Sequence, residues 1–383
     1  MTKILLPVEV LRSRRSVVAT VALAVAAISL PASAGFIQTN LVSNIPGLAI
    51  VNDPNLKNPW GVSHSGASPF WVSDQGTGLS TLYTVNAAGV SKNALEVTIP
   101  TTPAGPQGPT GQVNNNTSSF LVNTAPASFI FANLNGTISA WNNSAGTAAQ
   151  IQATTPGAVY TGLAIANSAS GPRLYAANTA QGRIDVFDGS FAPVNLGAGA
   201  FATPAAVGAL VPFNVQTIGG EIYVTYAPAG RPAQISAPEG NGAVAVFDTN
   251  GNPVRTLIVG SKLASPWGIT LAPTAFGEFS GDLLVGNFSF VASEINAFDA
   301  MTGALLGTIP IATGGQAPGG LWALIVGNGV NGGLANTLYF ANGINSEVDG
   351  LFASLAFVPE PAPLSLLGLA LAGLAFARRR KLK

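Results

Sequence analysis

The 383-residue chain has no cysteine, and that absence removes disulfide frameworks, thiolate nucleophiles and cysteine metal sites together. Histidine is almost as scarce, with His64 the single copy. A Ser-His-Asp triad would have to use it, and no Gly-x-Ser-x-Gly elbow accompanies it. Zinc or iron needs several His, Cys or carboxylate ligands in one cluster, which one histidine does not supply. Charged residues make up 8% of the chain. No residue is therefore assigned a catalytic role, no metal ligand set is assigned, and no cofactor is expected.

The few charges are concentrated at the ends. Lys3, Arg12, Arg14 and Arg15 precede an uncharged apolar run, Ser16 to Leu30, and Pro31-Ala32-Ser33-Ala34 follows. A basic segment, a short apolar run and small residues Ala32 and Ala34 in A-x-A spacing predict a signal peptide over residues 1–34. The far end has the reverse order. Val358-Pro359-Glu360-Pro361 leads into uncharged Ala362 to Ala377, and Arg378, Arg379, Arg380, Lys381 and Lys383 close the chain. That stretch predicts a short transmembrane helix whose basic tail stays cytoplasmic, with the main domain outside.

Pro359-Glu360-Pro361, an apolar helix and an arginine cluster in this order resemble the PEP-CTERM sorting signal, here over residues 358–383. The resemblance implies recognition by an exosortase-type enzyme in the inner membrane of a Gram-negative bacterium and processing near Pro359-Glu360-Pro361. It also implies a transient inner-membrane anchor, a final place on the cell surface or in the extracellular matrix, and an association with exopolysaccharide and biofilm.

Between the ends, residues 35–357 hold seven basic and fourteen acidic residues, a net charge of −7. That sign argues against nucleic acid and anionic lipid as partners, since phosphate binding needs basic patches. Without disulfides the domain relies on its core, and a chain of this length buries a large one.

A repeat organises the domain. Each unit opens with a small turn and an apolar strand, continues to a strand of alternating aromatic and aliphatic residues ending in Asp or Asn, and closes with a strand of the type I-x-x-F-D. Pro59-Trp60-Gly61-Val62 leads to Phe70–Asp74, and Pro266-Trp267-Gly268-Ile269 leads to Leu283–Asn287 and Ile295–Asp299. Other copies centre on Phe129–Asn133, Leu174–Asn178, Ile222–Tyr226 and Leu338–Asn342. Asp74 and Asn342 lie 268 residues apart, five intervals of roughly 54. Units of this length with about four short strands predict an all-β, six-bladed β-propeller rather than a β-sandwich, which lacks such a repeat, or a β-helix, whose repeats are shorter. Gly61, Gly162 and Gly268 are expected on inner strands near the axis. Phe36–Val42 is expected to close the ring beside Leu351–Phe357, and Pro100–Asn116, with no apolar rhythm, reads as a long loop.

The repeat grammar resembles NHL-type repeats and six-bladed gluconolactonase-like propellers. Together with the tail, the layout resembles a family of secreted PEP-CTERM propeller proteins. Gluconolactonase-like enzymes hold a channel metal with clustered carboxylates, and this sequence lacks an acidic cluster at matching places.

Two sets of positions are candidates for a channel or ligand site. Asp74, Asn133, Asn178, Asn287 and Asn342 end equivalent strands. They ring one end of the channel or bond to their own turns, and one Asp among four Asn would bind calcium only weakly. Trp60, Trp267 and Trp322 open their units, as core wedges between blades or as an aromatic platform at the channel mouth. His64 reads as a rim residue. The sequence points to an exported, monomeric, non-catalytic binding or scaffold module whose partner is exopolysaccharide or a surface protein. The rival is a gluconolactonase-like or other hydrolase with a channel metal.

Overall fold

The structure is a computed structural model that describes residues 35–103 and 105–359. The segment expected to be a signal peptide, with Ala32 and Ala34, the apolar tail and its Arg378, Arg379 and Arg380, and Glu360 and Pro361 of the motif lie outside the described residues. The domain is all-β. Six sheets form a propeller, with a two-stranded ribbon, Leu121–Val122 and Ala125–Pro126, set between strands of the second.

From the axis outward, blade 1 is Pro59–Ser63, Phe70–Asp74, Leu79–Asn86 and Gly89–Thr98. Blade 2 begins at Pro109–Asn114, blade 4 at Val211–Ile218 and blade 5 at Pro266–Leu271, each with four strands. Blade 3, from Tyr160–Ser168, has three. Its outer place is partly taken by the following segment, where Val194 N donates to Val186 O at 2.8 Å. Blade 6 comprises Leu321–Val326, Leu338–Asn342, Leu351–Val358, the N-terminal strand Gly35–Ser43 and a short pair partner, Val51–Asn52. The chain's first described strand therefore closes the ring from outside its last.

The segment read from sequence as a loop holds the inner strand of blade 2. Pro109–Asn114 is mostly buried and pairs with Phe129–Asn133. Its Thr110-Gly111-Gln112 stands where the axis leaves no room for large apolar side chains. The alternation that marks the other strands is missing for that reason.

Every blade is apolar on both faces because its strands alternate their side chains. In Glu221–Ala227, Ile222, Val224 and Tyr226 pack towards blade 3, and Tyr223 between them packs towards blade 5. In blade 1, Phe70 and Val72 face blade 6, whereas Trp71 faces blade 2 and stacks on Phe129 at 4.1 Å. The core is thus a set of wedges, one between each pair of neighbours. A sheet with two apolar faces is stable only between two others, which makes the closed ring the unit of folding.

At the axis the inner strands touch backbone to backbone. A Cβ added to Gly61 would lie 2.3 Å from Thr110 O, one on Gly111 2.4 Å from Leu163 N, and one on Gly268 2.3 Å from Trp322 O. Blades 1 to 2, 2 to 3 and 5 to 6 meet in this way, whereas Gly162 faces the side-chain oxygen and Cα of Asn214 in blade 4. Asn214 Nδ2 donates to Trp267 O at 2.7 Å between blades 4 and 5, and Trp322 Nε1 donates to Asn58 Oδ1 at 2.8 Å between blades 6 and 1.

Gly268→Ala should destabilise the domain by about 1–3 kcal/mol or more, since backbone rather than a flexible side chain blocks the new methyl. Gly66→Ala, with nothing within 4 Å of the added atom, is the control and should leave the thermal midpoint nearly unchanged. Thermal unfolding of the two variants checks this.

Candidate functional site

The start of each inner strand points to one end of the axis, and the tryptophans converge there. Trp60 stacks on Trp322 with centroids 3.6 Å apart, and Trp267 meets both edge-on at 6.4 and 5.7 Å. Phe288 stacks on the other side of Trp322 at 4.2 Å, and Phe213 abuts it at 5.9 Å. Phe213 occupies in Pro212-Phe213-Asn214 the place of tryptophan in Pro59-Trp60-Gly61 and Pro266-Trp267-Gly268. The cluster is a plug. Exposure is 4% for Trp60, 5% for Trp267 and 0% for Trp322.

Two of the three indoles are tied by their N–H groups. Trp322 is held by Asn58, and Trp267 Nε1 crosses to Thr161 O of blade 3 at 2.8 Å. Trp60 Nε1 is buried with no partner. Asn58 adopts a left-handed backbone (φ 44°), and its Nδ2 donates to Gln75 Oε1 at 2.8 Å. Beyond the plug, the axis forms a partly open pocket of about 60 Å³ bordered by Val62, Gln112, Leu163, Thr270 and the exposed Gln216. That space admits a few waters, whereas sites for small organic ligands span about 300–1,000 Å³.

Above the plug lie three connecting segments. The helix Arg231–Ile235 of blade 4 brings Arg231 over the Phe288 ring at 5.5 Å, and Arg231 pairs with Glu347 of blade 6. Phe290 N donates to Ile235 O at 3.0 Å, and Ser265 Oγ to Gln234 O at 2.9 Å, which fastens the helix to blade 5. Glu347 ends a run of three left-handed residues, Asn345, Ser346 and Glu347 (φ 53, 56 and 67°). Such residues each cost about 1–2 kcal/mol and persist only where the surroundings hold them. Here Asn345 N and Ser346 N donate to Ala317 O and Pro318 O.

His64 stands at the other end of its inner strand. Its Nε2 lies 2.8 Å from Val326 O and its Nδ1 3.0 Å from Ser65 O, stitching blade 1 to blade 6. The ring packs edge-on to Phe70.

The strand-end residues are all fully buried and do not border the axial cavity. Asn133 Nδ2 donates to Thr137 O and Ser139 Oγ, and Asn178 Nδ2 to Gln181 Oε1 and Asp185 Oδ2, all in their own blades. Asn287 accepts from Ala264 N and donates to Lys262 O. Asn342 has neither amide atom paired. Among the described residues, no group of three or more His, Asp or Glu is placed to hold a metal ion.

Asp74 sits in a polar chain behind the plug. Thr81 Oγ1 lies 2.7 Å from Asp74 Oδ2 and 2.9 Å from the Tyr83 hydroxyl, and Tyr83 donates to Asp53 Oδ2 at 2.7 Å. Asp53 also accepts from Lys92 Nζ at 2.8 Å. Burial pushes the Asp74 pKa well above the usual carboxylate range; the Thr81 bond opposes this and the nearby Asp53 adds to it. Thr81 has one proton for two oxygens, so the chain is complete when Asp74 carries a proton of its own.

Sequence reasoning missed Arg231, Glu347, Phe288 and Asn58. The first three lie in connecting segments outside the repeat. Asn58 alone was signalled, because it precedes Pro59-Trp60-Gly61 where Ser265 precedes the second copy.

A carboxyl whose pKa is raised on folding binds protons more tightly in the native state, so its contribution to stability falls as pH rises above the unfolded value of about 3.9. Asp74→Asn should therefore raise the unfolding free energy at pH 7 to 8, by on the order of 1 kcal/mol. The gain should vanish near pH 4. Thermal melts of both proteins across that range provide the check.

Comparison with known proteins adds a second line of information. Residues 357–381 match the PEP-CTERM protein-sorting motif. Uncharacterized protein R648 of Acanthamoeba polyphaga mimivirus is 29% identical over 337 residues, covering 82% of this chain and 78% of that protein. A solved protein of unknown function from Bacteroides thetaiotaomicron superposes with a TM-score of 0.51 at 11% identity, over 85% of this chain and 77% of its own. A gluconolactonase from Xanthomonas campestris aligns at a TM-score of 0.44 and 16% identity, over 78% of this chain and 95% of its own, too distantly to bear on chemistry. The sorting motif implies an exported, membrane-transiting protein processed by exosortase. The chain is thus a six-bladed β-propeller that carries a PEP-CTERM sorting motif at its C-terminal end.

Proposed function

We propose that the exported propeller is a non-catalytic binding or scaffold module of the cell surface or extracellular matrix, monomeric, and engaged with exopolysaccharide or a surface protein. The observation that carries this reading is the filled axis. Where a propeller enzyme gathers its reactive groups, this domain packs Trp60, Trp267 and Trp322, with a partly open pocket of about 60 Å³ beyond them. The one histidine is spent on carbonyl oxygens at the other end.

Surface chemistry supports the same reading. With 14 acidic and 7 basic residues between 35 and 357, the domain repels polyanions such as nucleic acid. Its abundant neutral amides and hydroxyls suit a hydroxyl-rich polymer. The apolar stretch Ala362–Ala377 acts as the transient inner-membrane anchor, residues 1–34 as a removable signal peptide, and processing falls near Pro359-Glu360-Pro361.

Fractionation of the native host tests both halves. Mature protein should end near Pro359-Glu360-Pro361, appear in the surface or matrix fraction and co-sediment with purified host exopolysaccharide. Alanine at Pro359, Glu360 and Pro361 should leave it in the inner membrane. An uncut C-terminus on surface protein would contradict the sorting step, and loss of co-sedimentation with both polymer and surface proteins would contradict the binding role.

A further inference from the structure

We propose that the closing strand Gly35–Ser43 is a latch on the sorting segment: it holds the last residues of Leu351–Val358 in the sheet of blade 6, and the processing enzyme acts on the chain only when that end peels away. The proposal rests on the processing near Pro359-Glu360-Pro361 given above and names what limits it.

The motif follows the fold without a spacer. Leu351–Val358 is a strand, and only Pro359, Glu360 and Pro361 separate it from the apolar stretch that begins at Ala362. Fully extended, three residues reach at most about 11 Å. An enzyme that cuts a peptide bond takes its substrate as an extended chain, with backbone and side chains on both sides of the bond engaged. A cleft that engages the motif therefore also claims residues 356–358. Their backbone groups cannot pair with the sheet and with the enzyme at once.

The strand is not held along its whole length. Leu338–Asn342 pairs with it from Leu351 to Leu355 and stops there. The closing strand lies on its other side and runs antiparallel to it: Ser43 Oγ donates to Gly350 O at one end, and Phe36 meets Phe357 at the other. Ala356 and Phe357 are thus held in the sheet by the closing strand alone. Burial falls off at the same point. Leu355 is buried, Ala356 and Phe357 are half-buried, and Val358 is exposed.

One side chain anchors that end. Phe357 packs edge-on to Phe36 with centroids 5.7 Å apart, and Phe36 lies 4.7 Å from Phe276 and 6.0 Å from Phe279. The Phe357 ring also lies against Gly277, where an added Cβ would stand 2.4 Å from its Cε2. Phe276, Gly277 and Phe279 belong to blade 5, in the connection between Pro266–Leu271 and Leu283–Asn287. The closing strand is fastened independently by Gln38, whose amide donates to Ala312 O at 2.7 Å and accepts from Ala312 N at 2.8 Å. Phe36 therefore keeps its place when Phe357 leaves, and Phe357 is the one large side chain that peeling exposes. An end with one neighbour and one anchoring ring opens at lower cost than strands paired on both sides.

The gated step is the one the motif implies. A peptide bond near the motif breaks, its carbonyl carbon passes to water or an amine acceptor, and its nitrogen leaves with a proton. The latch takes no part in that chemistry. It sets the fraction of molecules whose chain is free to enter the enzyme, and the rate follows that fraction.

Pulse–chase labelling of the full-length precursor in its native host tests this, with the half-time of C-terminal cutting as the readout. Insertion of Gly-Gly-Ser-Gly-Gly-Ser between Val358 and Pro359 offers the enzyme a free chain while the sheet stays whole. It should shorten the half-time about threefold or more. Phe36→Ala loosens the latch without altering the chain from 356 to the motif, and should act in the same direction. In the presence of the insertion, Phe36→Ala should add nothing. The insertion alone decides the matter if Phe36→Ala does not fold. A half-time unchanged or lengthened by the insertion would overturn the latch and leave the sorting step standing, because the motif would then be cut while its strand is held. Equal acceleration by Phe36→Ala with and without the insertion would also overturn it. A precursor left uncut in wild type and in every variant would contradict the processing itself.

Discussion

The structure depends on how closely six inner strands approach at the axis. Gly61, Gly111, Gly162 and Gly268 face the neighbouring strand at distances where no Cβ fits. Backbone contact of this kind sets the radius of the ring, and the radius sets how the wedges of Tyr, Phe and Trp fill the space between blades. No blade is stable alone, because both of its faces are apolar. Closure by Gly35–Ser43 outside Leu351–Val358 is what gives the first and last blades their neighbours.

A narrow axis limits what the centre can do. With tryptophan from blades 1, 5 and 6 converging at one end, the channel is packed like a core, and polar groups there bond between blades. Asn214, Gln112, Thr110 and Thr161 all donate to carbonyl oxygens of other blades. Such bonds fix the order and register of blades in a way that apolar wedges alone do not. Exceptions stand out against that background. Buried atoms without partners occur around most of the ring, among them Trp60 Nε1, Asp74 Oδ1, Gln112 Oε1, Asn133 Oδ1, the Tyr226 hydroxyl, the Asn342 amide and Glu347 Oε1, and Asn345–Glu347 hold a left-handed turn.

Much of this was legible in the sequence. Spacing of strand-like runs gave the blade number, and Pro-Trp-Gly marked inner strands because only glycine tolerates the axis. The closing strand was visible as an apolar run with no unit of its own. Pro109–Asn114 was not, because an inner strand made of Thr, Gly and Gln has no alternation to detect. The strand-end Asp and Asn were recognised as equivalent, with bonds to their own turns as one of two directions open to them; the particular partners, such as Thr137, Asp185 and Lys262, depend on neighbours the repeat does not specify. Arg231 and Glu347 meet across 116 residues of chain, in segments where the repeat is interrupted. No periodicity connects them.

The central claim is that tryptophan closes the axis, and iodide quenching of the native fluorescence measures it directly. All five tryptophans, Trp60, Trp71, Trp141, Trp267 and Trp322, are at most 5% exposed. The folded full-length protein should show blue-shifted emission and a quenching constant that is a small fraction of that of free tryptophan, rising to the free value in denaturant. Emission near that of exposed indole, or strong quenching in the native state, would mean that the aromatic end of the channel stands open and that the plug does not exist.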